Sequence, residues 1–470
     1  MKGCSEPVRQ TDIMILLELP YRLYVTVINC IAAVTSKIPE KSRHRMITAA
    51  VFLLSVYGMV PNSNARIKDL LQFSRTAIPF SMLLLILILA ASIDRKIDRR
   101  QPSGLRPLFW IGWYLCFIVM FVSSRMHQVR AGYNMWSIAA LTVFPMLMIV
   151  WNRRGELPYF CSVIARSMVG ASYAFLAVNL ILVPFITNNS DAENMAPGYL
   201  GIMANPNGNG LVVLPFFTAA LYLIITERKG RALYLASAAI SVMFAVISIT
   251  RTAELAIIIE TVAAVLITLR HRGILRSRPD VKMLLCAAAC IAIAAAAGMV
   301  LLRLDDMDIN AYALTEYDEA AAEVQAHPAL IRLNDMASGR IILWKAYIKA
   351  CGMAGHGSPD GLLFEGHTDS QWAHNNALDI WYASGFPAFV GYLIWLTAAW
   401  VWILYRCIVK KGFRKEYLLV ILAFTGYFTE AMLEITIYPM YTGIAFMAYA
   451  LMTPFAFRET AARKSIDTTR

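Results

Sequence analysis

Apolar stretches of about fifteen to twenty-five residues recur along almost the whole chain, and the loops between them alternate in charge. A helix of that length crosses a bilayer with every backbone group satisfied inside the segment, which is what lipid demands. Such runs fall at 46–60, 77–93, 107–122, 136–151, 161–186, 211–226, 232–249, 252–269, 283–302, 386–405, 417–433 and 438–457. With 58% hydrophobic and 16% charged residues in 470, and a mean hydropathy of +0.55, the chain is too apolar for a soluble protein. The expected fold is an all-α polytopic membrane protein of about twelve transmembrane helices.

The loops 37–45, 94–106, 152–158, 227–231, 270–282 and 406–415 are basic, and the tail carries Arg and Lys as well. Positive charge retains loops in the cytoplasm, so these are read as cytoplasmic and the intervening loops, including 187–198 and 303–385, as extracytoplasmic. The same clustering accounts for the net charge of +12 without a nucleic-acid partner. Residues 13–35 either span or lie along the inner surface as an interfacial helix. Glu18, Pro20 and Arg22 inside that run favour the second reading and make it a poor signal peptide. The chain then divides into an amino-terminal segment with its basic loop (1–45), a first transmembrane bundle (46–302), an extracytoplasmic loop domain (303–385), carboxy-terminal transmembrane helices (386–457) and a cytoplasmic tail (458–470).

Connections of about eighty residues are rare in compact proteins and usually functional. The loop from Arg303 to Gly385 holds twelve Asp or Glu against five Arg or Lys. Its Ala- and Glu-rich part at 308–325 reads as helix, and Ser338 to Ala350 as a second helix. A glycine-rich coil at 351–370 follows, and then a polar run with His374, Asn375 and Asn376 leads into an apolar helix. Of eight cysteines only Cys351 lies in this polar loop, so no disulfide within it is expected.

Five features carry candidate chemistry. Arg251, in the outer hairpin Ile249 to Glu254, either snorkels to headgroups, pairs with Glu254 or binds an anion. Arg340, after Ser338 and Gly339, adds a cation to helix-start amides that already favour phosphate; its plainer role is an ion pair with Asp335 or another loop carboxylate. His374 suits acid–base work near neutral pH, or a hydrogen bond at a helix start. The Asn, Pro and Gly of 204–210 make a turn whose Asn205 and Asn207 would also suit sugar hydroxyls. Glu430 and Glu434, four apart, are functional candidates at membrane depth but cost little in an outer loop. No metal-ligand spacing occurs among the His and Cys residues, so neither metal nor cofactor is expected.

Taken in order, these pieces form a set: Asn205-Pro206-Asn207 before a span, Thr250-Arg251-Thr252-Ala253 at a hairpin, and Gly339-Arg340 with Trp344 opening a loop helix. Gly355 and Gly357 follow, and then His374-Asn375 with Leu378 and Gly385 running into a span. The set resembles the O-antigen ligase and polymerase superfamily, the multispanning glycosyltransferases that use polyprenyl-diphosphate-linked glycans. The resemblance covers roughly residues 200–405. It departs at Trp372 and Ala388, where family members often carry His and Gly, and before Gly355, where His-Pro is usual.

The resemblance implies a GT-C-like fold in the bacterial cytoplasmic membrane with the active site on the extracytoplasmic side. It also implies a polyprenyl-diphosphate-linked glycan donor, a glycan, lipid or wall acceptor, and other polysaccharide-assembly proteins as partners. In that reading Arg251 and Arg340 stabilise the leaving diphosphate and His374 serves the acceptor hydroxyl, while Asn375, Asn205, Asn207 and Trp344 contact substrate. Both guanidinium groups should converge on one cavity with His374 at its rim. The first outer loop, with Asp69 as its sole acidic residue, argues against the phosphate-sugar branch of such enzymes. A flippase or secondary transporter would explain the spans and the charge, but not the long outer loop.

Overall fold

The computed structural model describes residues 12–98, 104–127, 131–154, 156–186, 198–271, 326–336, 339–357, 372–409, 413–434, 436 and 442–458. Among these, the elements are helices, and the β pairing is two isolated bridges, Ser63 with Met203 and Leu105 with Phe457. In chain order the helices are α1 (Asp12–Thr35), α2 (Glu40–Tyr57), α3 (Ala65–Leu70), α4 (Phe73–Ser92), α5 (Pro107–Met126), α6 (Ala131–Leu141), α7 (Val143–Arg154) and α8 (Leu157–Ile186). There follow α9 (Pro206–Thr226), α10 (Arg231–Ile247), α11 (Arg251–Arg270), α12 (Pro328–Met336), α13 (Arg340–Ala350) and α14 (Asn376–Ser384). The last are α15 (Phe386–Leu404), α16 (Lys415–Leu433), α17 (Gly443–Ala450) and α18 (Thr453–Ala456). Nine helical stretches among the described residues are long and apolar enough to cross a membrane; Ile78–Ser92 and Arg231–Ile247 are shorter apolar helices. The chain is a multi-pass, all-helical membrane protein. The expected span at 283–302, the expected helix at 308–325 and most of the glycine-rich coil lie outside the described residues.

The amino-terminal helix α1 is tied to its neighbours by side-chain hydrogen bonds. Thr35 Oγ1 donates to Ile93 O at the end of α4 (2.6 Å), Asn29 exchanges hydrogen bonds with Ile97, and Tyr24 donates to Leu141 O (2.5 Å) at the break between α6 and α7. Leu17–Thr35 is among the nine stretches long and apolar enough to cross. Its two charges pair with each other, Arg22 with Glu18 one turn away (3.0 Å).

The centre of the bundle is α9, buried on all sides and packed against α8, α10, α11, α16 and α17. Its sequence is apolar all round, as an enclosed helix requires. The closest helix pair is α5 with α15. There a Cβ on Gly112 would lie 2.4 Å from Trp395 N, and one on Gly391 2.4 Å from Cys116 N. In lipid, packing of this kind holds helices together, because no hydrophobic gain remains between them. Gly391→Val is expected to cost more than about 3 kcal/mol, since backbone on the facing helix cannot yield. Loss of monodisperse protein on extraction would register it, and wild-type yield would contradict it.

Contacts between helix ends sort into two groups. At one end Arg43 pairs with Asp94 (3.7 Å), Arg166 with Glu227 (2.9 Å), and Arg106 Nε donates to Phe457 O (3.1 Å). These join the loops read as cytoplasmic. At the other end Asn64 N donates to Ile202 O (2.8 Å), Asn209 Nδ2 to Ser248 Oγ (2.9 Å) and Ser123 Oγ to Ala383 O (3.2 Å). At that second end the described parts of the long loop build a small core of their own from Leu343, Tyr347, Ala373 and Tyr382. The loop segment 351–357 crosses the α14–α15 junction where Gly355 (φ +73°) meets Gly385 (φ +88°) backbone to backbone, an approach open only to glycine.

Candidate functional site

Helix α13 begins at Gly339, in the left-handed region at φ +80°, whose N–H donates to Asn334 O (2.9 Å). Asn334 Oδ1 also accepts from Ile342 N (3.2 Å), so the helix start is tied to the end of α12. Arg340 is thereby the first residue of a helix whose cap supplies no side-chain acceptor. Four residues on, Trp344 Nε1 donates to Ala373 O (2.8 Å) and joins α13 to the lead-in of α14.

That lead-in is over-determined. Asp379 accepts from Ala373 N (3.0 Å) through one oxygen and from Asn375 N (3.4 Å) through the other. His374, between the two amides, is held at φ +49°, a conformation that costs a non-glycine residue about 1–2 kcal/mol. Strain of this kind persists only where surrounding bonds impose it, and it clusters at functional sites. Burial pushes the Asp379 carboxyl up to about 7, against the Ala373 amide, nearby His374 and the Asn375 amide, which favour its charge. Asn375 Oδ1 caps α14 through Ala377 N (3.1 Å) and Leu378 N (3.3 Å).

Glu434, just past the end of α16, joins these parts. Its Oε1 accepts from Arg340 Nη2 at 2.6 Å and its Oε2 lies 3.0 Å from His374 Nδ1. Its chain is held close by Asn375 Nδ2 donating to Met432 O (3.4 Å) and by Asn376, which accepts from Thr436 N (2.8 Å) and donates to Thr436 Oγ1 (3.0 Å). Burial pushes the Glu434 carboxyl up, but the His374 hydrogen bond and charge, with the Arg340 guanidinium, outweigh it and hold it below the usual glutamate range. Glu434 can accept a hydrogen bond from Nδ1–H, an arrangement that in a neutral ring puts the lone pair on Nε2, where it can act as a base.

Arg251 is the first residue of α11, another helix start without a side-chain cap. The hairpin before it is strained at Ile249 (φ +54°), and Thr250 Oγ1 donates back to Ala245 O (3.0 Å). The Arg251 guanidinium is half-buried and forms no ion pair with a described residue. Its neighbours Thr250, Thr252 and Ala253 line a small cavity together with Asn207, Gly210 and Leu211 of α9 and with Glu430 and Glu434. The starts of α9, α11, α13 and α14 thus gather about the end of α16. Each helix start presents amide N–H groups and a partial positive charge, so the gathering favours an anion.

Of the expected residues, Arg340 and His374 meet directly through Glu434, and Arg251 stands in sequence between Thr250 and Thr252, which line the same cavity as Glu434. Arg340 pairs with Glu434, because α13 docks its first turn on the end of α16. Asn205 Oδ1 caps α9 by accepting from Gly208 N (2.8 Å), Asn375 caps α14, and Trp344 bonds backbone, so all three help to position the chain. Asn207 is exposed at the cavity. Asp379 was not singled out from sequence; its signal is an acidic residue in the first turn after a capping Asn, where it reaches back to loop amides. The cytoplasmic-end cleft of about 730 Å³ between α2 and α8, lined by Lys41, His44, Arg45, Phe52 and Tyr159, is far larger but shares none of these residues. No protein-family model matches the chain, and no curated protein matches it.

Proposed function

We propose that the chain is a membrane glycosyltransferase of the O-antigen ligase and polymerase type, GT-C-like with about twelve spans, working at the outer face of a bacterial cytoplasmic membrane. It transfers a glycan from a polyprenyl diphosphate to an acceptor hydroxyl in cell-surface polysaccharide assembly. The observation that carries the reading is the Arg340–Glu434–His374 chain at the meeting point of four helix starts. It sets a cation, an oriented imidazole and anion-favouring amides side by side.

In the reaction the bond from the anomeric carbon to the diphosphate oxygen breaks and a bond to the acceptor oxygen forms. The negative charge that grows on the diphosphate is met by Arg251, by the N–H groups of Arg340 not used by Glu434, and by the start of α11, which has no side-chain cap. His374 Nε2 takes the acceptor proton, worth on the order of a hundred- to ten-thousandfold in rate. Asn207 at the cavity offers a carboxamide to a sugar hydroxyl.

Arg251→Ala, Arg340→Ala and His374→Ala, each expressed at normal level in a host that makes the glycan, are expected to abolish the product. Normal product from all three would overturn the reading. In a deletion strain, single repeats would identify a polymerase and lipid-linked polymer a ligase.

Secondary transport is the second reading, favoured by two carboxylates buried in spans, Glu260 in α11 and Glu430 in α16. Glycan uptake or release by proteoliposomes, without transfer to acceptor, would select it.

A further inference from the structure

Helix α2 changes character part-way along its length. Glu40, Lys41, Arg43, His44 and Arg45 fall in its first six residues, and from Met46 to Tyr57 it carries no charge. Glu40–Asn62 is one of the stretches long and apolar enough to cross a membrane, so the boundary between water and lipid falls beside this change, at the end read as cytoplasmic. Arg43 turns inward, buried and paired with Asp94 (3.7 Å). Lys41, His44, Arg45, Thr48, Ala49 and Phe52, three and four residues apart, share another face and line the cleft of about 730 Å³ beside α8. Tyr159 of α8 walls its head by stacking on His44 (ring centroids 4.3 Å apart) and donating to His44 O (3.2 Å). At its foot Phe52 reaches α8 at Gly170, where a Cβ would lie 3.1 Å from the phenyl ring. Between these two contacts the short side chains of Thr48 and Ala49 leave the space open.

Over about three turns of α2 the lining passes from cations to an apolar floor. Lys41 and Arg45, one turn apart and exposed, form no ion pair with a described residue. Glu40 is the one acidic residue in the lining; its carboxylate is largely exposed and lies 4.0 Å from the His44 ring nitrogen. An occupant of uniform character fails at one end. A soluble anion leaves Ala49 and Phe52 uncovered, and a bare hydrocarbon leaves the two cations unmatched. A peptide would carry unpaired backbone amides into lipid. A zwitterionic lipid brings its own cation up to Lys41 and Arg45. A phospholipid of net negative charge matches both ends, with phosphate oxygens on the cations and a chain on the apolar floor. It also carries the charge of the leaflet that a cytoplasmic helix end meets.

We infer that the cleft between α2 and α8 binds one phospholipid with an anionic headgroup, its phosphate held by Lys41 and Arg45 and an acyl chain laid over Ala49 and Phe52. The site lies at the other end of the bundle from the proposed reaction, and its test reads binding alone. Full-length protein, purified in a neutral detergent and washed free of lipid, is titrated with dioleoylphosphatidylglycerol, with dioleoylphosphatidylcholine and with glycerol 3-phosphate, and bound molecules are counted by native mass spectrometry. In the wild type the first phosphatidylglycerol is expected to bind about tenfold or more tighter than phosphatidylcholine. Lys41→Gln combined with Arg45→Gln should abolish that preference. Ala49→Phe, which fills the apolar floor and keeps both cations, should weaken the first phosphatidylglycerol by a similar factor. A wild type that binds the two lipids alike overturns the inference, as does a folded double variant that keeps the preference. Displacement of phosphatidylglycerol by equimolar glycerol 3-phosphate also overturns it, since the site would then take a free anion. Should the double variant fail to fold, unchanged affinity in Ala49→Phe decides against the site.

Discussion

His374→Gly is expected to leave the protein folded and to remove transfer, with a fall on the order of a hundred- to ten-thousandfold in product formation. The choice of glycine follows from the backbone. His374 sits at φ +49° because Asp379 holds the amides on either side of it. Alanine would lose the imidazole and keep the strain, so a lost product could be blamed on folding. Glycine relieves the left-handed penalty of about 1–2 kcal/mol and adds an entropic cost of about 0.5–1 kcal/mol, so the fold stays near its original stability. Glu434 keeps Arg340 as a partner in the variant. The measurement is paired: thermal unfolding in detergent, and glycan size in a complemented deletion strain. Wild-type product with wild-type stability would remove His374 from the chemistry, and a collapse of stability would show the imidazole to be structural.

Glu434→Gln is expected to act on both stability and rate. The carboxylate side chain is 8% exposed and that of Arg340 14%, so the pair is largely shielded from water. Removing one partner of a buried ion pair costs about 3–5 kcal/mol, mostly through the charge left behind. The glutamine carbonyl still accepts from Arg340, which puts the expected loss at the lower end, about 3 kcal/mol. The rate falls for a different reason: an amide N–H turned toward His374 Nδ1 would favour the tautomer with its proton on Nε2. That removes the base, and loss of such an orienting partner costs about ten- to a hundredfold.

The pH dependence has a definite sign. The Glu434 carboxyl is held below its ordinary value in the folded chain, so the folded state binds its proton more weakly than the unfolded one. Its contribution to stability is therefore full above the unfolded glutamate value of about 4.3 and is lost as pH falls through the lower folded value. The stability gap between wild type and Glu434→Gln should close in that acid window. A gap that persists unchanged into acid would mean the ion pair contributes nothing.

Several parts of the site were legible as local chemistry. The turn at Asn205-Pro206-Asn207 is a helix start because proline suits the first helical position and asparagine accepts from an amide three residues on; both features lie within one turn. The same holds for Asn375 before α14 and for Gly339 before α13. Local rules name the cap, but they do not say whether a carboxamide retains capacity for a sugar, and for Asn205 and Asn375 the hydrogen bonds go to backbone. The amino-terminal helix shows the same limit of local rules. A charge pair and a proline at mid-helix look unfit for lipid until Glu18 meets Arg22 and Tyr24, Asn29 and Thr35 find carbonyls on neighbouring helices.

By itself the sequence determined that this chain is helical and multi-pass, and which loops share an end, because backbone satisfaction in lipid and the placement of positive charge act segment by segment. Tertiary structure alone decided the partner of Arg340. The arginine had carboxylates within its own loop, yet it meets Glu434, 94 residues away. Ion pairing has little reach through water and gains strength where burial excludes it, so the pair forms where packing brings two helix ends together. The same packing left Glu430 buried with no partner, a fact no local pattern in the chain could announce.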